Sequence, residues 1–110
     1  MLNLMTVIFE AHHAERNHHR RYQIAVGRDL FDAWTISIEY GRAGRNARER
    51  QYVSGDAIQL RRIIRERLQR RLSAPRRIGC NYCISELNAA PGFDTEAWLP
   101  TDIIAKFSAA

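Results

Sequence analysis

Apolar and polar residues alternate along several stretches of the chain, and a period of two is typical of half-buried β-strands. The clearest stretch runs from Trp34 to Tyr40. The same alternation predicts a strand over Arg20–Val26, and a run of β-branched and aromatic residues predicts an earlier one over Leu4–Ala11. After a loop that contains two glycines, Arg48–Val53 is expected to return antiparallel. The chain is therefore predicted to begin with four strands.

The spacing changes after the fourth strand, from a period of two to a helical one. Ser54 is a candidate N-cap, and Pro75 ends whatever helix precedes it, so one helix is expected over Gly55–Leu72. Its apolar side chains form a single stripe that would pack on the sheet. They are Ala57, Leu60, Ile63, Ile64, Leu68 and Leu72.

The remaining residues predict a fifth strand and a tail. The strand is expected over Arg77–Ile84, and a short helix, with Thr101 as its cap, over Thr101–Phe107. Together these elements predict an α+β fold: a twisted antiparallel sheet of four to five strands with one amphipathic helix. Residues 1–84 are expected to form the domain, and residues 85–110 a C-terminal tail packed on it or on a partner.

Length limits the class of protein. A chain of 110 residues, 45% of them apolar, provides one domain with one hydrophobic core. An enzyme with separate catalytic and recognition domains does not fit in this length. No stretch approaches the roughly 20 apolar residues that span a bilayer, and the first nine residues do not resemble a signal peptide.

Charge is distributed unevenly. Residues 1–79 contain 16 basic and 8 acidic side chains, whereas residues 80–110 contain 1 and 4. A basic body of this kind favours a polyanionic partner, most often nucleic acid. Sixteen of the 17 cations are arginine, which a G+C-rich genome would also produce without any binding role.

The segment Glu39–Arg45, with the sequence Glu-Tyr-Gly-Arg-Ala-Gly-Arg, resembles the signature of the WGR domain, which is named for a Trp-Gly-Arg tripeptide. Further similarities follow in the family's order: Asn17–Val26, Trp34-Thr35, the helix that starts near Ser54, and Ile78-Gly79. The resemblance covers residues 4–84. Three positions depart from the family pattern: Tyr40 replaces the usual Trp, Ala47 a loop glycine, and Cys80 an aromatic residue.

The resemblance implies a small sheet domain with one helix, known as a DNA-end-sensing module in some poly(ADP-ribose) polymerases and also found in bacterial proteins. It implies that Tyr40 contacts a terminal sugar and that neighbouring basic residues contact phosphates. Nothing in the chain resembles the transferase domain of those enzymes.

The candidate site is therefore centred on Tyr40 and the loop that follows it. An aromatic ring among guanidinium groups can stack on a sugar or unpaired base while the cations hold phosphates. The opposing interpretation is that Tyr40 completes the apolar side of its strand and the arginines are only solvated. The predicted nucleic-acid-binding residues are Tyr40, Gly41, Arg42, Arg45 and Arg48, with Arg21 and Tyr22 as secondary candidates, and Arg50 lies in the same basic run.

The helix carries six arginines between Arg61 and Arg71, and these are expected mainly to form a solvated face, with a secondary phosphate track as the alternative. Cys80 and Cys83 form a single CxxC, and four histidines lie within His12–His19. Residues three apart in a strand point to opposite faces, so ordinary thiols are favoured over a zinc site or redox pair. No metal and no cofactor is predicted, and two cysteines fit a cytoplasmic protein.

No arrangement of nucleophile, base and carboxylate indicates catalysis, so an enzyme is not predicted. The first hypothesis is a non-enzymatic nucleic-acid-binding module for DNA ends, nicks or gaps. The alternative is a protein-interaction or assembly module, a homodimer or a partner-docking domain, that uses residues 90–110.

Overall fold

A computed structural model describes residues 2–13, 18–42, 48–73 and 82–107 of the chain. Within them, strands and helices follow one another in the order that the hydrophobic pattern predicts, with one additional short helix near the end. The elements are β1 (Leu2–His13), β2 (His18–Arg28), β3 (Trp34–Arg42), β4 (Arg48–Ser54), α1 (Ala57–Arg71), β5 (Cys83–Ala89), α2 (Thr95–Trp98) and α3 (Thr101–Ile104).

The five strands form one antiparallel sheet in the order β4-β3-β2-β1-β5. Strands β4 and β5 are therefore the outer strands, and α1 connects one side of the sheet to the other. The predicted α+β class with an antiparallel sheet and one main helix is confirmed.

One face of the sheet is covered and holds the core. Tyr22, Ile24 and Val26 of β2 are fully buried on this face, together with Ile36 and Ile38 of β3. Helix α1 contributes the inward side of its apolar stripe, so sheet and helix form two layers. The buried helix residues are Leu60, Ile64 and Leu68.

The start of α1 differs from the prediction. Ser54 ends β4, and its hydroxyl accepts a hydrogen bond from the backbone N–H of Asp56. Asp56 is the N-cap, because its carboxylate accepts from the N–H of Ile58 at 3.0 Å. The predicted cap at Ser54 was therefore wrong by two residues: Ser54 fixes the turn that places Asp56 in the capping position.

The fifth strand was predicted too early. It occupies Cys83–Ala89, so only Cys83 and Ile84 belong to both the predicted and the observed strand, and residues 74–81 lie outside the described part. Most of β5 is exposed because it is an outer strand. It pairs with β1 through backbone hydrogen bonds, which do not require alternating apolar side chains. This is why the hydrophobic pattern did not reveal it.

The tail packs on the same covered face as α1. Trp98, Ile103 and Phe107 are at most 8% exposed and belong to the hydrophobic core, and the Phe107 ring lies 4.8 Å from that of Phe9 between centroids. The last helix is shorter than predicted, Thr101–Ile104, and its N-cap is Pro100 and not Thr101. Within the predicted tail, residues 85–89 belong to β5, and the apolar side chains of the described residues that follow pack against the core of the chain itself.

The turn between β2 and β3 presents two large apolar side chains to solvent. Leu30 is 97% exposed and Phe31 is 90% exposed. The turn backbone is nevertheless held in place, since the Asp29 carboxylate accepts from the N–H groups of Phe31 and Ala33. Asp32, in the same turn, has a positive φ of 63°.

No helix in the described part of the chain is long and apolar enough to cross a membrane.

Candidate nucleic-acid interface

Tyr40 lies near the end of β3, between Tyr22 on β2 and Arg48 on β4, its direct cross-strand partners. Opposed residues of an antiparallel pair share a face, so all three side chains project from the covered face. The Tyr40 ring is half-buried and packs against the core, with its centroid 6.2 Å from that of the Tyr22 ring. The core thus fixes one side of the Tyr40 ring and leaves part of it accessible.

The C-terminal end of α1 brings two arginines to the same place. Arg67 donates a hydrogen bond to the Tyr52 phenol oxygen at 2.7 Å. The guanidinium carbon of Arg71 lies 4.3 Å from the Tyr22 ring centroid and 5.5 Å from that of Tyr40. Both distances are within the range of cation–π attraction.

The Arg50 guanidinium completes the arrangement from β4. It hydrogen-bonds to Tyr40, and this bond, with smaller contributions from the charges of Arg50, Arg48 and Arg67, lowers the pKa of the Tyr40 phenol. We call the seven residues from β2, β3, β4 and α1 the arginine–tyrosine cluster. They are Tyr22, Tyr40, Tyr52, Arg48, Arg50, Arg67 and Arg71.

Tyr22 is the buried member of the cluster. Burial raises its pKa to about 12, against the opposing influence of Arg71 and Arg67. Its ring lies on the core side of Arg71 and Tyr40 and is not exposed to solvent. Tyr22, a secondary candidate from the sequence, is therefore buried against its neighbours Arg71 and Tyr40.

No carboxylate neutralises the cluster within the described residues. The arginine ion pairs found there are Arg28–Asp32 and Arg65–Asp102, and neither includes a cluster arginine. In the same part of the chain, the Tyr22 hydroxyl and the buried Nε atoms of Arg20, Arg61 and Arg71 have no hydrogen-bond partner. The cluster is thus a concentration of positive charge around a partly accessible aromatic ring, which suits an anion with a planar or sugar group next to it.

The remaining predicted residues are placed differently. Gly41 follows Tyr40 with a φ of 151°, a backbone conformation that favours glycine. Arg21 is exposed on the uncovered face, where it donates to the Gln23 side chain at 3.2 Å, so it does not join the cluster. Arg42 ends β3, and its side chain lies outside the described residues, as does the whole of Arg45.

Sequence reasoning did not assign Tyr52, Arg67 and Arg71 to the site. The helix arginines were expected mainly to form a solvated face, yet Arg67 and Arg71 flank the inward stripe near Leu68 and reach the tyrosines of the sheet. Their spacing of four residues beside that stripe was the available signal. The sequence does not indicate over which end of the sheet the C-terminus of α1 lies, so it could not place these two arginines beside Tyr40.

The histidines and cysteines do not form a larger constellation. Cys83 is a free, half-buried thiol on β5, and Cys80 lies outside the described residues. Among the described residues, no group of three or more His, Cys, Asp or Glu side chains is arranged to hold a metal ion.

An antiparallel sheet covered by one helix, with a basic aromatic cluster at one end, is the architecture of a small binding module. The family model of the WGR domain matches residues 5–68, more than half of the chain, so this protein belongs to the WGR domain family. WGR domains are modules of the nucleic-acid-binding type and are a binding family, not a catalytic one. No curated protein and no solved structure matches the chain.

Proposed function

We propose that this WGR domain binds DNA ends, nicks or gaps, with the arginine–tyrosine cluster at the centre of the interface. The observation that supports this most directly is the convergence of Arg48, Arg50, Arg67 and Arg71 on Tyr40 without a carboxylate among the described residues. Four unneutralised guanidinium groups beside an aromatic ring match the chemistry of a nucleic-acid backbone that exposes a sugar or base.

The mechanism has two steps. The arginines of the arginine–tyrosine cluster first bind phosphates. This interaction does not depend on the DNA sequence, and it releases counterions. The Tyr40 ring then stacks on the sugar or base that an interruption of the duplex exposes. Because Tyr22 and Arg71 already hold one side of that ring, little side-chain entropy is lost when it stacks.

The direct test is a fluorescence titration of the full chain at two salt concentrations. The ligands are blunt duplex, nicked duplex, closed circular duplex and single-stranded DNA, with heparin as the non-specific polyanion. If four phosphates are neutralised, the log–log salt slope on duplex is roughly −3.6. The nicked and blunt-ended duplexes are expected to bind more tightly than a closed circular duplex of the same sequence. Equal affinity for all forms and for heparin would show that only net charge is recognised, and would contradict the stacking step.

Arg42 and Arg45 stay in the proposal as predictions from the family resemblance. If each contacts a phosphate, changing either to Ala flattens the salt slope by about one unit. An unchanged slope removes that residue from the interface without affecting the cluster itself.

A second candidate function, a protein-interaction module, is favoured by a different observation. The β2–β3 turn exposes Leu30 and Phe31 almost completely, at the end of the sheet opposite to Tyr40. The apolar residues of the tail, by contrast, are used in the core of the chain itself. Association that persists in high salt and is lost in a Leu30→Ser/Phe31→Ser variant would support this function over nucleic-acid binding.

A further inference from the structure

The proposed interface leaves one group of reactive side chains unused, at the far end of the β1–β2 ladder. His12 and His19 are direct cross-strand partners there, and both are exposed. Phe9 and Ala11 of β1 are buried in the core, so the alternating side chains of Glu10 and His12 project from the uncovered face of the sheet. The histidine pair is therefore on the opposite face from the arginine–tyrosine cluster.

The distance between the two rings matches a chelate. Their centroids are 5.2 Å apart and the ring planes are inclined by 56°. With metal–nitrogen bonds of about 2.0–2.1 Å, and ring centres about 1.1 Å beyond the nitrogens, two imidazoles on one tetrahedral ion have centroids about 5 Å apart. The β1–β2 backbone ladder thus holds the imidazoles at the separation that a shared ion requires, before any ion is bound.

Glu10 adds a carboxylate on the same face. Its Oε1 lies 3.6 Å from Nε2 of His19. A carboxylate in that position orients a neighbouring imidazole. Because no group of three His, Cys, Asp or Glu side chains among the described residues is arranged to hold an ion, Glu10 is not counted as a third ligand, and the two imidazoles are the protein ligands.

We propose that His12 and His19 form a two-imidazole site for a divalent transition-metal ion, with Glu10 as the supporting carboxylate. Imidazole ligands suit Cu²⁺, Ni²⁺ and Zn²⁺ and not the oxygen-preferring Mg²⁺ and Ca²⁺. The bound ion links β1 to β2, so it stabilises the hairpin against opening. The site does not rest on the proposed function.

The test is a calorimetric titration of the full chain with NiCl₂ and with ZnCl₂, using MgCl₂ as the control ion. We expect saturable binding of both transition metals and none of Mg²⁺. His12→Asn and His19→Asn should each abolish this binding, and Glu10→Gln should weaken it about tenfold. The folded state of each variant is checked by urea unfolding without metal.

The matched control is His13→Asn, a change at the next residue of β1 that keeps His12, His19 and Glu10. It should leave Ni²⁺ affinity unchanged. Ni²⁺ and Zn²⁺ should also raise the urea midpoint of the unchanged chain and of His13→Asn but not of His12→Asn. Absence of saturable binding by the unchanged chain, or equal binding by His12→Asn, would overturn the proposal.

Discussion

Both ends of the covered face contain contacts between an arginine guanidinium and an aromatic ring, but the charges around these contacts differ. At one end, Arg71 lies over Tyr22 and Tyr40. At the other, Arg28 lies 4.2 Å from the Trp34 ring centroid and Arg61 lies 5.0 Å from that of Trp98. Both ends therefore place guanidinium groups on aromatic rings, and that contact alone does not distinguish a binding surface from a structural one.

The difference lies in the counter-charges. Among the described residues, Arg61 has no carboxylate partner and its buried Nε has no hydrogen-bond partner. Arg28, however, pairs with Asp32, and Arg65, one helical turn from Arg61, pairs with Asp102 through an Nη2–Oδ2 contact of 2.6 Å. This second pair lowers the pKa of the Asp102 carboxyl, because the Arg65 guanidinium donates a hydrogen bond to it. At the tyrosine end, the described residues provide only phenol oxygens. An arginine without a carboxylate partner in the protein is available to bind an external anion.

The largest expected effect concerns the tryptophan end. Trp98 is 1% exposed and packs on Trp34 with centroids 4.9 Å apart, so Trp98→Ala should lower the free energy of unfolding by about 3–5 kcal/mol. Urea unfolding measures this. DNA affinity, measured at a temperature where the variant is folded, should not change. Leu30→Ala is the matched control on an exposed residue and should cost less than about 0.5 kcal/mol. A loss of DNA affinity in folded Trp98→Ala would remove the distinction between the ends.

The next effect concerns Tyr22 in alkaline solution. Its pKa is about 12 in the folded chain against 10.0 for the free group, so the folded state keeps a proton that the unfolded state releases. Stability is therefore fully present below pH 10 and falls by about 2–3 kcal/mol as the pH rises through 12. The lowered pKa of half-buried Tyr40 acts weakly in the opposite direction.

Urea unfolding at pH 9, 10 and 11 measures the slope for Tyr22. Tyr22→Phe should reduce the slope and leave the core packed, because the phenol hydroxyl has no partner among the described residues. A slope identical in Tyr22→Phe and the unchanged chain would show that the hydroxyl is not buried in solution.

A comparison of two arginine pairs tests the role of counter-charge. Arg67→Ala/Arg71→Ala removes two cations that have no ion-pair partner among the described residues, and Arg28→Ala/Arg65→Ala removes two that are paired with Asp32 and Asp102. The first should flatten the DNA salt slope by about two units and weaken binding roughly tenfold or more at low salt. The second should leave the slope nearly unchanged. Equal effects would indicate a general response to net charge.

The smallest effect should come from the Tyr40 ring. Tyr40→Ala should weaken binding to nicked DNA by about 1 kcal/mol, the lower end of the range for stacking, because the ring is only partly accessible. Tyr40→Phe keeps the ring and loses the hydrogen bond from Arg50, so it should bind nearly as well as the unchanged chain. Equal losses in the two variants would assign the effect to the phenol oxygen and not to stacking.

Much of the fold could be predicted because β1 to β4 and α1 are defined by local periodicity. The alternation that placed Tyr22 beside Ile24 and Val26 already indicated its burial. β5 was misplaced because an outer strand depends on backbone pairing, which leaves no apolar signature. The family resemblance predicted the Tyr40 region as the candidate site, but the position of Arg67 and Arg71 beside it depends on how the helix lies across the sheet. That packing angle is a tertiary property that single-sequence periodicity does not contain.

Strand β4 has a neighbour on one side only, β3, within the described sheet, and its first three residues, Arg48, Glu49 and Arg50, are all exposed. Charged side chains on an outer strand oppose pairing with the same strand of another molecule. The two arginines proposed to hold phosphates therefore also keep separate copies of the protein apart. Replacing both with apolar residues would be expected to promote aggregation through the β4 edge. A ligand that neutralises the two arginines must therefore itself cover β4, so that the strand does not pair with another molecule.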